Sequence, residues 1–164
     1  MNINVTIPTD LSEITLRQYK HFLKIQKGVE DEGFLNAKII EIFCKVKLEN
    51  VMRLKFNDTE LIVKTLTEMF DQKPNLVTNF KLNKKEYGFH PRLDDLTLGE
   101  YIDLDTFIGD WENIEKAMAV LYRPIVNKVK DKYTIEEYKV GGDEVMLDMP
   151  MDAVLSSIFF LWNL

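Results

Sequence analysis

The sequence predicts a mostly helical α+β protein, made of two similar helical halves that carry short β-hairpins. Apolar residues recur at the three- and four-residue spacing of amphipathic helices through most of the chain. Two segments instead alternate polar and apolar residues around turn sequences, which is typical of β-hairpins. The 164 residues include 7 Gly and 5 Pro, too few for a disordered or linker-rich chain. With 46% hydrophobic residues, a packed core is expected.

Residues 1–75 are predicted to hold one strand followed by helices. Asn2–Ile7 alternates polar and apolar residues, which predicts a short strand closed by Pro8. Thr15, with Gln18 three residues later, forms a capping box that begins a helix. A second helix is predicted over 30–45 and a short helical turn over 48–55. Another helix is predicted to follow the capping pattern Asn57–Glu60 and to end before Pro74.

The rest of the chain is predicted to combine hairpins with helices. Thr78–Leu82 and Glu86–Phe89 alternate polar and apolar residues on either side of a turn that contains Asn83. Thr97 and Glu100 form a second capping box. The remaining elements are a helix capped by Asp110 and ending near Pro124, a hairpin within 126–140, a break at Gly141 and Gly142, and a last helix from Asp148 and Pro150.

A pattern in the first half recurs in the second. Leu11–Tyr19 reads LxxITLxxY, and Leu93–Tyr101 reads LxxLTLxxY. This echo predicts a single domain, 1–164, in which the halves 1–75 and 87–164 are similar and pack face to face. The alternative is that a common helix-capping arrangement occurs twice by chance.

Charge and composition argue against several function classes. With 21 Lys+Arg and 27 Asp+Glu, the net charge is −6, so nucleic acid is not an expected partner. The small basic turn with Lys81, Lys84 and Lys85 is interpreted as a solvated turn that protects strand edges. The alternative is that it holds nucleic acid together with Phe80 and Tyr87. A single cysteine allows no internal disulfide and no cysteine-built metal site. No signal peptide opens the chain, and the longest apolar run, Ala153–Leu164, is shorter than the roughly 20 residues of a bilayer span, so no membrane is expected.

Residues that can support catalysis or metal binding occur without the spacing that such chemistry needs. His21 and His90 lie near no Cys or patterned Ser, and Cys44 lies on the apolar stripe of a helix, which predicts an inert thiol. Asp103 and Asp105 begin a calcium-loop pattern that fails later. The positions for the third ligand, the glycine and the final glutamate hold Phe107, Ile108 and Ile114. We therefore expect no catalytic residue, no metal site, no cofactor and no enzyme.

The C-terminal segment IFFLWNL carries apolar side chains around most of a helix. Since one flank of such a helix can pack on a small core while another faces outward, it predicts a docking surface for other proteins. Phe159, Phe160 and Trp162 are its candidate protein-interaction residues, and Trp111 and Tyr122 are candidate core residues or interface anchors. The alternative is that the last helix lies fully buried between the two halves.

From Thr97 to Ile125 the chain reads TLGEYIDLDTFIGDWENIEKAMAVLYRPI. This stretch, with Ile7–Tyr19 and Phe34–Val46, resembles small proteins encoded among the virion-morphogenesis genes of tailed bacteriophages, including crAss-like phages of gut Bacteroidetes. The likeness covers most of the chain and rests on the Asp-Trp-Glu helix that ends in AVLYRP. It implies a role in tail or head assembly, similar to that of tail assembly chaperones, and it implies no catalytic residues.

The resemblance and the lack of a chemical motif together predict a morphogenesis protein that acts by protein–protein binding. As a chaperone-like assembly factor, it would bind other phage structural proteins, and copies of itself, in the host cytoplasm. The alternative is a structural virion component in a neck, tail or capsid-associated ring, held by larger and more apolar interfaces. A small enzyme or regulator is a third hypothesis, and it would need a pocket with convergent polar groups.

Overall fold

The computed structural model describes residues 2–164 and confirms a mostly helical α+β fold. Its strands form a four-stranded antiparallel sheet built from β-hairpins. The chain divides into two compact units, Met1–Gln72 and Lys73–Leu164. All four strands of the described chain lie in the second unit, so the first unit contributes helices without a hairpin.

The first unit is built from helices. A 3₁₀ turn at Leu11–Glu13 precedes α1 (Leu16–Gln26), α2 (Glu32–Cys44), α3 (Leu48–Val51) and α4 (Phe56–Phe70). The predicted capping box begins α1: Thr15 Oγ1 accepts from the Gln18 N–H at 3.2 Å, and Gln18 Oε1 accepts from the Thr15 N–H at 2.9 Å. After α1, Gly28 adopts a φ of +84°, the left-handed conformation that commonly ends a helix.

Aromatic rings join α1, α2 and α4. The ring centroids of Phe22 and Phe43 lie 5.8 Å apart, and those of Phe43 and Phe70 lie 5.0 Å apart. Tyr19 adds a contact of 5.3 Å with Phe70. Because each such pair adds about 0.5–1.5 kcal/mol beyond simple burial, this cluster is a main stabilising contact of the first unit.

The second unit combines the sheet with three α-helices. Its elements are β1 (Asn79–Leu82), β2 (Lys85–Phe89), a 3₁₀ turn at Leu93–Asp95, α5 (Leu98–Phe107), α6 (Ile114–Leu121), β3 (Tyr122–Val129), β4 (Lys132–Ile135), a 3₁₀ segment at Asp143–Asp148 and α7 (Met151–Trp162). The second predicted capping box is also present at α5. Thr97 Oγ1 accepts from the Glu100 N–H at 3.2 Å, and Glu100 Oε2 accepts from the Thr97 N–H at 2.7 Å.

The strands follow the order β1-β2-β3-β4, and their turns use left-handed residues. Asn83 and Lys84, with φ of 51° and 66°, link β1 to β2, as a two-residue type I′ turn requires. Lys130, with a φ of 57°, begins the turn from β3 to β4. Both predicted hairpins are therefore present, and the second begins earlier than expected because β3 follows α6 without a loop.

The N-terminal strand prediction is wrong. Ile3, Val5 and Ile7 are half-buried and alternate with exposed residues, so the segment has the predicted buried and exposed sides. However, the segment pairs with no strand anywhere in residues 2–164. An alternating pattern specifies which side chains are buried, but a strand also needs a partner for its backbone hydrogen bonds.

Two predicted caps are also wrong. α4 has Lys55 at its N-cap position, two residues before the expected cap Asn57, and its start has no side-chain cap. α6 begins at Ile114 because the Asp110 carboxylate stabilises a turn instead of a helix start. That carboxylate accepts from the Glu112 N–H at 3.0 Å and from the Asn113 side-chain amide at 2.8 Å.

The repeated Thr-Leu-x-x-Tyr pattern produces the same local structure twice, a 3₁₀ turn followed by a capped helix. The equivalent side chains differ in exposure. Leu16 is 0% exposed whereas Leu98 is 75% exposed, and Tyr19 is half-buried against Phe70 whereas Tyr101 is 57% exposed. The pattern therefore accounts for local conformation, and two halves with equivalent packing remain a hypothesis.

Gly88 provides the space in which the sheet closes. A Cβ atom at this position would lie 2.6 Å from Tyr133 Cε2 and 3.0 Å from Ile125 Cγ1. Tyr133 lies over β2, where its hydroxyl donates to the Phe89 carbonyl at 2.5 Å. Glycine is required here because of this close approach.

We predict that Gly88→Ala lowers the unfolding free energy of the second unit by about 1–3 kcal/mol, since the added methyl group overlaps Tyr133 and Ile125. Urea denaturation followed by tryptophan fluorescence measures this, because both tryptophans, Trp111 and Trp162, lie in that unit. Gly109→Ala is the matched control, with no heavy atom within 4 Å of its new Cβ. Equal effects of the two substitutions would contradict the packing role of Gly88.

Candidate functional site

The last helix, α7, changes from buried to exposed along its length. Met151 and Val154 have no exposed surface, and Ile158 is 4% exposed. Beyond Ile158 the exposed fraction rises to 36% at Phe160, 68% at Trp162 and 78% at Leu164. We call Phe159, Phe160 and Trp162, together with Leu164 just beyond the helix, the aromatic end of α7.

Polar contacts hold the buried part of α7 in place. Ser156 Oγ accepts from the Val77 N–H at 3.0 Å. The Tyr122 hydroxyl donates to the Val77 carbonyl at 2.7 Å and lies 3.3 Å from the carbonyl of Ala153. Ser157 Oγ donates to the Val154 carbonyl of the same helix at 2.9 Å. The hydroxyl groups of Ser156, Ser157 and Tyr122 therefore all have hydrogen-bond partners, as is usual for buried polar groups.

The structure brings three of the five candidate interaction residues together at the aromatic end of α7. The rings of Phe159 and Trp162 meet edge to face with centroids 6.0 Å apart. Phe160 meets Phe89 of β2 in the same manner at 5.7 Å, so one side of its ring rests on the sheet. Trp162 consequently presents the largest free aromatic surface of the three.

The other two candidates lie elsewhere. Tyr122, at the start of β3, is 0% exposed, and burial raises the pKa of its hydroxyl. Of the two roles predicted for it, Tyr122 has the core role and offers no docking surface. Trp111 lies half-buried in the turn before α6. Neither residue adds to the aromatic end of α7.

A buried charge cluster, which the sequence did not predict, links α5 to the sheet. The Arg123 Nη2 atom lies 2.6 Å from Glu100 Oε1, and both side chains are more than nine-tenths buried. His90 Nε2 lies 3.4 Å from the same oxygen. The Arg92 N–H donates to His90 Nδ1 at 3.2 Å, which leaves the imidazole proton on the nitrogen that faces Glu100.

The cluster shifts the pKa of two of its members. Burial and the neighbouring charge of Arg123 hold the pKa of His90 below its ordinary value, although the carboxylates of Glu100 and Asp95 oppose this. For Glu100, burial alone would raise the pKa. The hydrogen bonds from Thr97 and the charge of Arg123 outweigh that effect and hold the pKa below its ordinary value. His90 is therefore neutral and Glu100 ionised near neutral pH.

Tyr138 covers the other face of Arg123. The guanidinium carbon lies 5.8 Å from the Tyr138 ring centroid, and the Tyr138 hydroxyl donates to the Asp103 carboxylate on α5. Burial and that bond raise the pKa of Tyr138. Arg123 Nε lacks a hydrogen-bond partner in the structure of residues 2–164. The arrangement joins α5, β3 and the segment after β4 through one arginine.

Two small cavities border Tyr138, with volumes of about 210 Å³ and about 250 Å³. Both are below the roughly 300 Å³ at which small-molecule sites usually begin. The first is lined by side chains of both charge signs, with Lys85 and Arg123 beside Glu136 and Glu137. This lining has no convergent set of groups of one chemical kind, so the cavities do not define a ligand.

The structure also places the other side chains that the sequence analysis considered for chemistry. Burial raises the pKa of the Cys44 thiol to about 11, so it stays protonated at neutral pH. Asp103 is engaged by Tyr138, and Asp110 by its turn. Over residues 2–164, no group of three or more His, Cys, Asp or Glu side chains is placed to hold a metal ion. Within the same residues, no helix has the length and apolarity to cross a membrane.

The sequence contained a partial signal for the buried cluster. Glu100 was predicted as a capping residue, and that role uses only one of its two oxygens. Arg123 interrupts the apolar run AVLY, and a charge within a buried run needs a partner. Its pairing with Glu100 was not predictable, because the two residues lie on different elements and no local spacing relates them.

Comparisons with protein-family models, with curated proteins and with solved structures found no match to this chain.

We predict that the second unit loses stability as the pH falls from about 7 to about 5.5, because the unfolded chain binds a proton at His90 that the folded chain excludes. Glu100 adds a further loss below its ordinary pKa, since its ionised form is favoured only in the folded state. Urea midpoints of tryptophan fluorescence between about pH 7 and about pH 5.5 measure the His90 effect, and extending them to about pH 3.5 measures the Glu100 effect.

In this experiment His90→Gln should remove the loss between about pH 7 and about pH 5.5, since glutamine does not titrate there. His21→Gln, an exposed histidine on α1, is the control and should behave as the wild type. An unchanged pH dependence in His90→Gln would show that the cluster does not exclude the proton.

Proposed function

We propose that this chain is a bacteriophage morphogenesis protein that acts by binding other proteins, as a chaperone-like assembly factor for tail or head subunits. Its action would take place in the host cytoplasm. The phage assignment comes from the sequence resemblance over Thr97–Ile125 and the flanking segments. The protein-binding assignment comes from the aromatic end of α7, and this surface is the observation that carries the proposal.

The physical argument concerns apolar area left in water. Each apolar side chain kept from burial forgoes about 25 cal/mol per Å² of surface, so a contiguous patch is a feature that a partner normally covers. Trp162 and Leu164 are more than two-thirds exposed, and the Trp162 ring contacts Phe159 on the same side of the helix. Tryptophan and other aromatic residues are the commonest hot spots of protein interfaces because they bury much area at little entropic cost.

The partner can be a different subunit without any change in the fold of this chain. The buried part of α7 is fixed by Tyr122 and Ser156, so the aromatic end is presented before binding. A preformed surface costs less ordering entropy on association than a flexible one. An assembly factor that binds and releases subunits fits a surface of a few large side chains, whereas a permanent virion ring needs larger interfaces.

The first test uses the tagged full-length protein and lysate from cells infected by the phage that encodes it. Captured subunits are identified by mass spectrometry, purified, and titrated by calorimetry. Trp162→Ser should weaken binding at least about tenfold, since a hot-spot residue contributes about 2 kcal/mol or more. Because Trp162 is exposed, the variant should keep the wild-type circular dichroism spectrum.

Val140→Ser is the matched control, since Val140 is highly exposed but lies away from α7 in the chain. It should bind with wild-type affinity. Wild-type affinity in Trp162→Ser would exclude the aromatic end of α7 as the docking surface. Capture of no phage subunit at all would contradict the proposed function.

Mass spectrometry of purified particles distinguishes an assembly factor from a virion component. An assembly factor should be abundant in infected cells and absent from mature particles. A stoichiometric copy number in purified particles would replace this proposal with a structural role in the neck, tail or a capsid-associated ring.

A further inference from the structure

The fold gathers positive charge at one end of the sheet. The turns of both hairpins lie at that end, and six lysines flank them, which we call the lysine tip: Lys81, Lys84, Lys85, Lys128, Lys130 and Lys132. Only two carboxylates, Glu86 and Asp131, lie among them in sequence. The whole chain has a net charge of −6, so this end of the sheet is opposite in sign to the molecule.

The strand register places the two turns side by side. Tyr87 of β2 pairs with Pro124 of β3, and from there β2 leads back to the first turn while β3 leads on to the second. An ion pair between the strands confirms this alignment, with Lys128 Nζ 3.0 Å from Glu86 Oε1. Three lysines from each hairpin therefore meet at one end of the same sheet.

The lysine tip is exposed, and the carboxylates near it include Glu86, opposite Lys81, and Glu136 and Glu137, beside Lys85. Lys128 pairs with Glu86, and within residues 2–164 the structure gives the other five lysines no ion pair. Beyond its pairing with β2, β3 continues with β4 alone as a two-stranded ribbon, from Asn127 to Thr134. Val129 on this ribbon and Val126 at the irregularity just before it are each 65% exposed, so this part of β3 is open to solvent.

We propose that the lysine tip binds the phosphate backbone of a nucleic-acid duplex, without sequence preference. A net charge of −6 argues against a nucleic-acid partner only if positive and negative side chains are evenly distributed. In this chain six lysines are concentrated at the two hairpin turns. Lysines act as point charges that release counterions from phosphates. A two-stranded β-ribbon also has the width that the major groove of a duplex admits.

The composition of the tip favours a duplex over two other polyanions. Protein interfaces are depleted of lysine, so six lysines with only two exposed valines beside them are a poor match for an acidic protein. Single strands are bound mainly by stacking bases on free aromatic rings. Here Phe80 and Tyr87 stack on each other with centroids 5.7 Å apart, and Tyr87 is buried.

The test is fluorescence anisotropy of a labelled, random-sequence DNA duplex of about 24 base pairs, titrated with the full-length protein between about 25 and about 200 mM NaCl. The wild type should bind at low salt and weaken steeply with added salt. Lys81→Gln, Lys85→Gln and Lys132→Gln combined should reduce affinity about tenfold and make the log–log salt slope shallower by about 2 to 3. All three positions are exposed strand residues, so circular dichroism should be unchanged.

The matched control neutralises three exposed lysines of the first unit, Lys24, Lys47 and Lys64, again with glutamine. It should keep wild-type affinity. Equal losses in both triple variants would show attraction by general charge and overturn the proposal. Absence of wild-type binding at about 25 mM NaCl would overturn it as well. A poly-glutamate peptide is the rival probe, and binding to it in place of the duplex would assign the tip to an acidic protein.

Discussion

The buried part of α7 is the constraint on which the second unit depends. Tyr122 and Ser156 attach α7 to Val77, so the helix, β3 and the approach to β1 are fixed by the same few hydrogen bonds. The final turn continues the same helix beyond the residues that the core covers. The exposure of Trp162 is therefore a consequence of how the preceding turns are buried.

The buried charge cluster has a structural role in this account. Glu100 caps α5 with one oxygen and pairs with Arg123 of β3 through the other, so helix start and sheet are joined by a single carboxylate. A buried charge pair of this kind adds little net stability, but loss of one partner leaves the other uncompensated. The cluster therefore fixes the position of α5 on the sheet, and because it is buried it is not a surface for binding other proteins.

The elements that were predicted correctly are those that neighbouring residues determine. Thr15 and Thr97 form the expected capping boxes, and the turn after β1 follows from Asn83 and its neighbour. Predictions were wrong where contacts with distant parts of the chain decide the structure. Asn2–Ile7 alternates polar and apolar residues but forms no strand, because no other strand pairs with it. The exposed aromatic end of α7 was predicted from its all-round apolar character. The basic turn at Lys81, Lys84 and Lys85 was recognised, but its position beside the lysines of the second hairpin was not predicted, and neither was the buried cluster. Each of these combines residues from separate elements.

The central claim is that a rigid, half-buried helix presents its last turn to another protein. Hydrogen–deuterium exchange of the full-length protein, alone and with its captured subunit, tests this most directly. The claim predicts slow exchange over 151–158 in both states, and new protection over 159–164 only when the subunit is present. Unchanged exchange over 159–164, with protection appearing on other elements, would contradict it.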